Sequence, residues 1–299
     1  MFFAIPVIVS GVAFEILLRN IPNDYSYKSH FLDKNAKNIE VLFLGNSHVH
    51  FGIDPKYITL KSFNAGNISQ SLDYDLKILE KYQNNLKNLR FVVIAVDYFS
   101  LFSKLDSGVE AWRIKNYDLY YGMHSDFIPE HHFEIMANQT KYNFERVKKY
   151  YLHQKSDLHV THLGWGTEYA AALSKDLSKV GPVAAKRHRD ASDEKLYKGN
   201  IKVLQAIIDF CKKKNIKLIL FTSPAYKTYS ENIDAHQMKR TENALKKFST
   251  ANNNVRYYNL LSDSRFDSID FYDSDHLNDV GAKKLSVAFD SIIHSESRR

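Results

Sequence analysis

The chain has 299 residues, 44% hydrophobic and 25% charged, ordinary values for a folded globular protein with room for one large core. Its formal charge of +7 is spread along the sequence without a dense basic tract, so it reads as a solvated surface and points to no nucleic-acid partner; an acidic polysaccharide or a lipid is the remaining alternative. The single cysteine, Cys211, excludes an intrachain disulfide and a cysteine metal centre, and its apolar helical surroundings predict a small buried thiol.

In chain order, residues 2–18 form an apolar run interrupted by Pro6 and Glu15 and followed by Arg19. A cleaved signal peptide needs a basic n-region, which is missing here, and a small-x-small cleavage site, of which Val12-Ala13 is a poor version, so the run predicts an uncleaved membrane anchor over residues 1–20. A helix buried against the domain is the alternative. Arg19, Lys28, Lys34 and Lys37 follow the run and no Lys or Arg precedes it, which by the positive-inside rule favours a cytoplasmic domain.

Segments 39–44, 61–64, 91–96, 217–222 and 255–258 are short and apolar, as strands buried in a parallel sheet should be. Between them, 71–86, 194–214, 235–249 and 280–293 carry apolar residues at spacings of three and four, the helical period. This alternation predicts a three-layer α/β/α, doubly wound parallel sheet within a domain spanning 36–299. Ligands of such sheets bind beyond the carboxyl ends of the strands. Ser47, Gly66, Asp97, Tyr226, Asp273 and His276 all follow strands and so converge on that edge.

The stretch 98–193 is too long for a crossover and predicts a largely helical insertion over the same edge. Its Trp112 and Trp165 are candidate faces for stacking on sugar rings. Its histidines His124, His131, His132, His153, His159 and His162 lack acidic partners at helical spacing and read as surface or packing residues, with zinc the minor alternative, so no metal and no cofactor is expected.

Two motifs carry chemistry. Gly45-Asn46-Ser47-His48 closes the first strand and presents a serine on a strand-to-loop turn. A serine hydroxyl needs an imidazole to take its proton and a carboxylate to hold that imidazole in the right tautomer. Asp273-Ser274-Asp275-His276 supplies both, with Asp273 as the orienting carboxylate and Asp275 as its competitor, expected to turn to solvent. The backbone N–H groups of Ser47 and Gly66 can face a developing oxyanion, with Asn67 as a third donor. Asn46, His48 and Tyr226 are candidate substrate contacts; Val49 rules out the Gly-x-Ser-x-Gly elbow.

These residues resemble the SGNH, or GDSL-like, hydrolases, in particular membrane-anchored members that accompany polysaccharide O-acetylation. The resemblance rests on Gly45-Asn46-Ser47, on Gly66 in Phe63-Asn64-Ala65-Gly66-Asn67, and on Asp273-Ser274-Asp275-His276 with its continuation Leu277-Asn278-Asp279-Val280-Gly281-Ala282. It implies an SGNH/flavodoxin-like fold and a serine esterase or O-acyltransferase acting on acyl, above all acetyl, esters of cell-surface carbohydrate or polysaccharide. It also implies an extracytoplasmic catalytic domain and a membrane-bound acyltransferase as partner. The chain departs from the family at Val96-Asp97-Tyr98-Phe99, where the third motif would place an asparagine. That departure is the sequence feature behind the alternative, a catalytically weak or inactive membrane-anchored binding partner of a polysaccharide-modifying machine.

Overall fold

The structure is a computed structural model and describes residues 4–123 and 128–298. In chain order the helices are α1 (Ala4–Arg19), α2 (Asp24–Asn35), α3 (Ser47–Gly52), α4 (Leu72–Tyr82), α5 (Ile114–Tyr121), α6 (Pro129–His132), α7 (Glu134–Ala137), α8 (Thr140–His153), α9 (Leu177–Asp190), α10 (Tyr197–Lys213), α11 (Lys227–Ser230), α12 (Ala235–Ala251) and α13 (Asp279–Ser297). The strands are β1 (Val41–Leu44), β2 (Ser62–Asn64), β3 (Phe91–Ala95), β4 (Lys217–Thr222) and β5 (Val255–Asn259).

All five strands are parallel, in the order β2-β1-β3-β4-β5, the doubly wound arrangement expected from the sequence. Alternate side chains of each strand face opposite layers. Phe43 and Phe221 meet Phe289 of α13 edge-on in one core, together with Val41, Val93 and Ile219. On the opposite face α10 packs against β4 and α4, burying Leu204, Ile207, Ile208 and Cys211. Burial raises the Cys211 thiol to about 12, so it is an inert packing group.

The chain divides into two compact units, residues 1–33 with 109–159, and residues 34–108 with 160–299. The expected single insertion over 98–193 is therefore split. Residues 109–159 condense with the N-terminal segment, whereas 160–193 belong to the unit that holds the sheet. Aromatic and helical patterning marks both pieces as core-forming but does not say which core each joins.

The N-terminal run folds as α1, 16 residues long, with Met1–Phe3 outside the described residues. Among the described residues no helix is long and apolar enough to cross a membrane, so the anchor expected over residues 1–20 is not supported as a spanning helix. Glu15 is engaged within its own unit, where its carboxylate accepts the backbone N–H groups of Glu134 (3.0 Å) and Ile135 (2.8 Å). Val7, Ile8, Val9 and Val12 remain more than half exposed. His124 lies outside the described residues.

Candidate active site

The site belongs wholly to the unit built on the sheet. β1 ends at Leu44, and Gly45 turns the chain at φ +132°, where a side chain would be strained and a Cβ would lie 2.9 Å from Val49. Asn46 caps α3: its Oδ1 accepts the N–H of His48 at 2.9 Å. Ser47 is thus the first residue of the helix, and its own N–H has no i−4 acceptor by position. The Asn46 Nδ2 donates to Asp97 Oδ2 at 2.9 Å, so this expected substrate contact is instead a brace for the nucleophile turn.

At the other end of the chain, residues 271–278 form a closed loop. Phe271 bridges Leu277, Tyr272 N–H donates to the His276 carbonyl at 2.9 Å, and Asn278 Oδ1 caps α13 by accepting from Val280 and Gly281. A Cβ on Gly281 would stand 2.2 Å from the Asp270 carbonyl oxygen, so only glycine lets α13 begin that close to the loop. The loop holds Asp273 and His276 rigidly. Asp273 Oδ1 accepts the backbone N–H of His276 at 2.9 Å and faces its Nδ1 at 2.9 Å. His276 Nε2 lies 2.8 Å from Ser47 Oγ.

Ser47, His276 and Asp273 are therefore hydrogen-bonded in sequence, across 229 positions of chain. With Nδ1 donating to Asp273, Nε2 is the acceptor that a serine proton requires. Asp273 Oδ2 also has Lys175 Nζ at 3.9 Å.

The expected oxyanion donors are placed differently. Asn64 donates to the carbonyls of Val49 and Ile53, both at 2.7 Å, and its Oδ1 accepts the Gly66 N–H at 3.0 Å. Asn67 is buried and donates through Nδ2 to Gln70 Oε1 at 2.9 Å, while its N–H goes to the Gly45 carbonyl at 3.1 Å. The Gly66 and Asn67 donors are thus already bonded, to the Asn64 and Gln70 side chains of their own segment and to the Gly45 carbonyl. Tyr226 also departs from expectation. Its N–H supports the base loop through the Ser274 carbonyl at 2.8 Å, and its ring packs against Phe271 with centroids 5.8 Å apart.

A second imidazole stands beside the first. His48, expected to face substrate, is buried, with Nδ1 2.8 Å from Asp97 Oδ2 and Nε2 3.7 Å from Asp275 Oδ2. Asp97 Oδ1 accepts the Ser223 N–H at 2.9 Å, so this carboxylate ties the ends of β3 and β4 to the nucleophile turn. Asp275 does not turn to solvent. It is 1% exposed, and its Oδ2 faces His48, His188, His276 and Arg187 at 3.6–3.9 Å without a hydrogen bond.

Burial by itself would lower the proton affinity of His48, but the Asp97 and Asp275 carboxylates outweigh it and raise the group to about 10. Burial would raise Asp97, yet the His48 charge and the bonds from His48, Asn46 and Ser223 hold it near 2. Asp275 is likewise held well below the usual carboxylate range by His276, His48 and His188 against its burial. Burial lowers His188 to about 4, leaving it neutral, with Nδ1 2.6 Å from the Tyr229 hydroxyl. His48, Asp275 and His276 present ligand atoms within 4.8 Å of one another. Both nitrogens of His276 are bonded within the triad and the Arg187 guanidinium points at Asp275, so the cluster is arranged as a set of charge pairs.

His188, Arg187 and Tyr169 gave no sequence signal, since none falls in a motif. Tyr169 stacks between Phe51 (3.7 Å) and Tyr272 (3.9 Å) and presents its edge to His276 at 5.3 Å. Trp165 donates Nε1–H to the Phe51 carbonyl at 2.6 Å and so anchors that wall from behind. Trp112 belongs to the other unit, with the Arg113 guanidinium 4.3 Å over its ring.

No protein-family model matches the chain, and no curated protein matches it either. Among solved structures it is similar to a candidate platelet activating factor from Streptococcus pneumonia, with 10% identity over 98% of this chain and 99% of that one and a TM-score of 0.46. It is also similar to the acetyl xylan esterase AlAXEase, at 17% identity over 85% and 100% of the two chains and a TM-score of 0.43. A GDSL-like lipase from Bacteroides thetaiotaomicron VPI-5482 matches at 11% identity over 91% and 99%, with a TM-score of 0.40. At such distances the chemistry has to be read from the side chains of the site.

Proposed function

We propose that this protein is an SGNH-type serine esterase or O-acyltransferase acting on acyl esters of carbohydrate. The observation that carries the reading is the unbroken chain from Ser47 Oγ through His276 to Asp273, with links of 2.8 and 2.9 Å. Ser47 Oγ bonds to the ester carbonyl carbon while its proton passes to His276 Nε2; that proton then goes to the departing alkoxide oxygen, leaving an acyl-serine. Water, or a sugar hydroxyl, gives up a proton to the freed His276 and takes the acyl group, and His276 returns that proton to the departing Ser47 Oγ. The first acceptor makes an esterase, the second a transferase.

Acetyl as the acyl group and cell-surface polysaccharide as its carrier follow from the motif resemblance, supported by the aromatic wall of Phe51, Tyr169 and Tyr272 beside His276. The exposed apolar side chains of α1 support association of the N-terminal unit with a membrane. An extracytoplasmic catalytic unit and a membrane-bound acyltransferase partner belong to the same proposal. Flotation of the full chain with liposomes, lost in Ile8→Asp/Val12→Asp, tests the membrane part.

One observation favours a second reading, a non-catalytic binding partner: the Gly66 N–H is taken by Asn64 and no asparagine follows β3. Fluorophosphonate labelling separates the two, since only an activated serine reacts. Labelling of the wild type that is absent in Ser47→Ala supports the enzyme. A folded wild type that is never labelled supports the binding partner.

A further inference from the structure

The base loop carries two carboxylates where a triad uses one. Asp273 bonds Nδ1 of His276 at 2.9 Å, and Asp275 Oδ2 sits 3.6 Å from the same nitrogen. A second buried negative charge at that place favours the protonated imidazole, which cannot accept a proton from serine. His48 lies on the far side of Asp275, with its Nε2 3.7 Å from Oδ2, its ring 4.8 Å from the His276 ring, and its other nitrogen held by Asp97 at 2.8 Å.

We propose that His48 is a positioning residue for the triad: clamped between Asp97 and Asp275, its ring carries a positive charge that offsets Asp275 and sets the pH at which His276 can accept the Ser47 proton. The inference rests on the catalytic reading of Ser47 and His276 given above. Asp97 is suited to hold that charge because the Asn46 amide and the Ser223 N–H occupy its remaining positions and keep it ionised. His48 Nε2 and Asp275 Oδ2 are both buried without a hydrogen bond, so they act on each other through space and leave Asp275 unneutralised by direct proton transfer.

The other charged and titratable groups around the pair come from four parts of the unit. From α9, Arg187 lies 3.7 Å and His188 3.9 Å from Asp275 Oδ2. Ahead of that helix, Lys175 faces Asp273 at 3.9 Å, and Tyr169 meets His276 edge-on. Tyr229 of α11 bonds His188, and Tyr98, after β3, stands near that pair with centroids 6.5 Å from His188 and 6.2 Å from Tyr229. Arg187 is the only one of these with a fixed charge of the same sign as His48 facing Asp275, and it is largely solvent-exposed, where water screens it.

The test follows the histidine rings of the full chain by nitrogen-15 NMR across pH, with kcat/KM for an aryl acetate measured alongside. In the wild type the His48 ring should stay doubly protonated through pH 8. In His48→Gln the His276 titration and the acid limb of kcat/KM should both move to higher pH, and in Asp275→Asn both should move to lower pH, each by on the order of one pH unit. The double variant should return near the wild type. A His48 ring that loses its proton near 6.5, or single variants whose profiles stay put or move the same way, would overturn the proposal. Asp275→Asn is nearly isosteric and the wild-type His48 measurement needs no variant, so misfolding of His48→Gln leaves two decisive readings. Ring titrations that shift as expected in a chain that fluorophosphonate never labels would sink the esterase reading, and with it the positioning role of His48, while showing that His48 and Asp275 are charge-coupled to His276; ring titrations that stay put in a chain that is labelled would sink the His48 proposal alone.

Discussion

Two buried carboxylates, one in each unit, meet the nitrogen groups around them in opposite ways. Glu134 in the N-terminal unit accepts from Lys115 at 2.8 Å, Arg146 at 2.9 Å and the Tyr120 hydroxyl at 2.7 Å, and Arg146 goes on to Asp157 at 3.0 Å. Every charge there is hydrogen-bonded, and the cluster pins α5, α7 and α8 together. Asp275 in the unit built on the sheet has four nitrogen groups around one oxygen and bonds to none of them at that oxygen. A carboxylate used as a rivet closes its hydrogen bonds; one left at 3.6–3.9 Å exerts a field on its neighbours instead. Burial alone does not separate the two roles, whereas bond completion does.

Breaking the triad should give the largest effect. Ser47→Ala and His276→Ala should each cost about 10⁶ in kcat on an aryl acetate, and the double variant should be little worse, because triad members act as a unit. Steady-state kinetics with circular dichroism as a fold check decides it; clear turnover in Ser47→Ala removes the assignment. Asp273→Asn should cost roughly 10⁴ by favouring the wrong imidazole tautomer. Asp275→Asn should cost far less and mainly move the pH profile. The reverse order would transfer the orienting role to Asp275.

The rivet answers to a different measurement. Glu134→Ala strands Lys115 as a buried cation and leaves Arg146 with Asp157 alone, so it should lower the unfolding free energy by about 3–5 kcal/mol in urea titrations. The Ser47 labelling rate per folded molecule should not change, since Glu134 lies in the unit without the site. A slowed labelling rate in the folded variant would show that the two units are energetically coupled.

Much of this was legible in the sequence where a local pattern fixes the outcome. The runs at 91–96 and 217–222 have no polar face, so they had to be interior strands, and β3 and β4 are buried as such. Ser47, Asp273 and His276 could be placed together because the parallel-sheet rule sends both motifs to one edge. Asp275 was misjudged because its surroundings arrive from positions 48, 97 and 187–188, which no spacing relates. Gly66 and Asn67 fit the expected donor positions, but donor availability depends on what else competes, and Asn64 and Gln70 are silent in a motif. The division of 98–193 escaped for a similar reason: amphipathic periodicity shows that a helix will be covered without showing by what.

The measurement that sharpens the comparison most is the pH dependence of stability. His48 has its folded-state affinity raised from 6.5 to about 10. Its contribution is therefore complete below pH 6.5 and is lost as pH rises through about 10, because above that the folded state no longer binds the extra proton. Asp97 is depressed from 3.8 to about 2, so its contribution is complete above pH 3.8 and lost as pH falls through about 2. Lys28, buried in the other unit and lowered to about 7, acts in the opposite sense to His48 between pH 7 and 10.5. Subtracting the His48→Gln curve from the wild-type curve cancels Lys28, which both chains share. The difference in urea unfolding free energy should be largest near pH 6 and decline steadily toward about pH 10. A difference that is flat over that range would mean that His48 is neutral in the folded protein and that Asp97 holds it by an ordinary hydrogen bond.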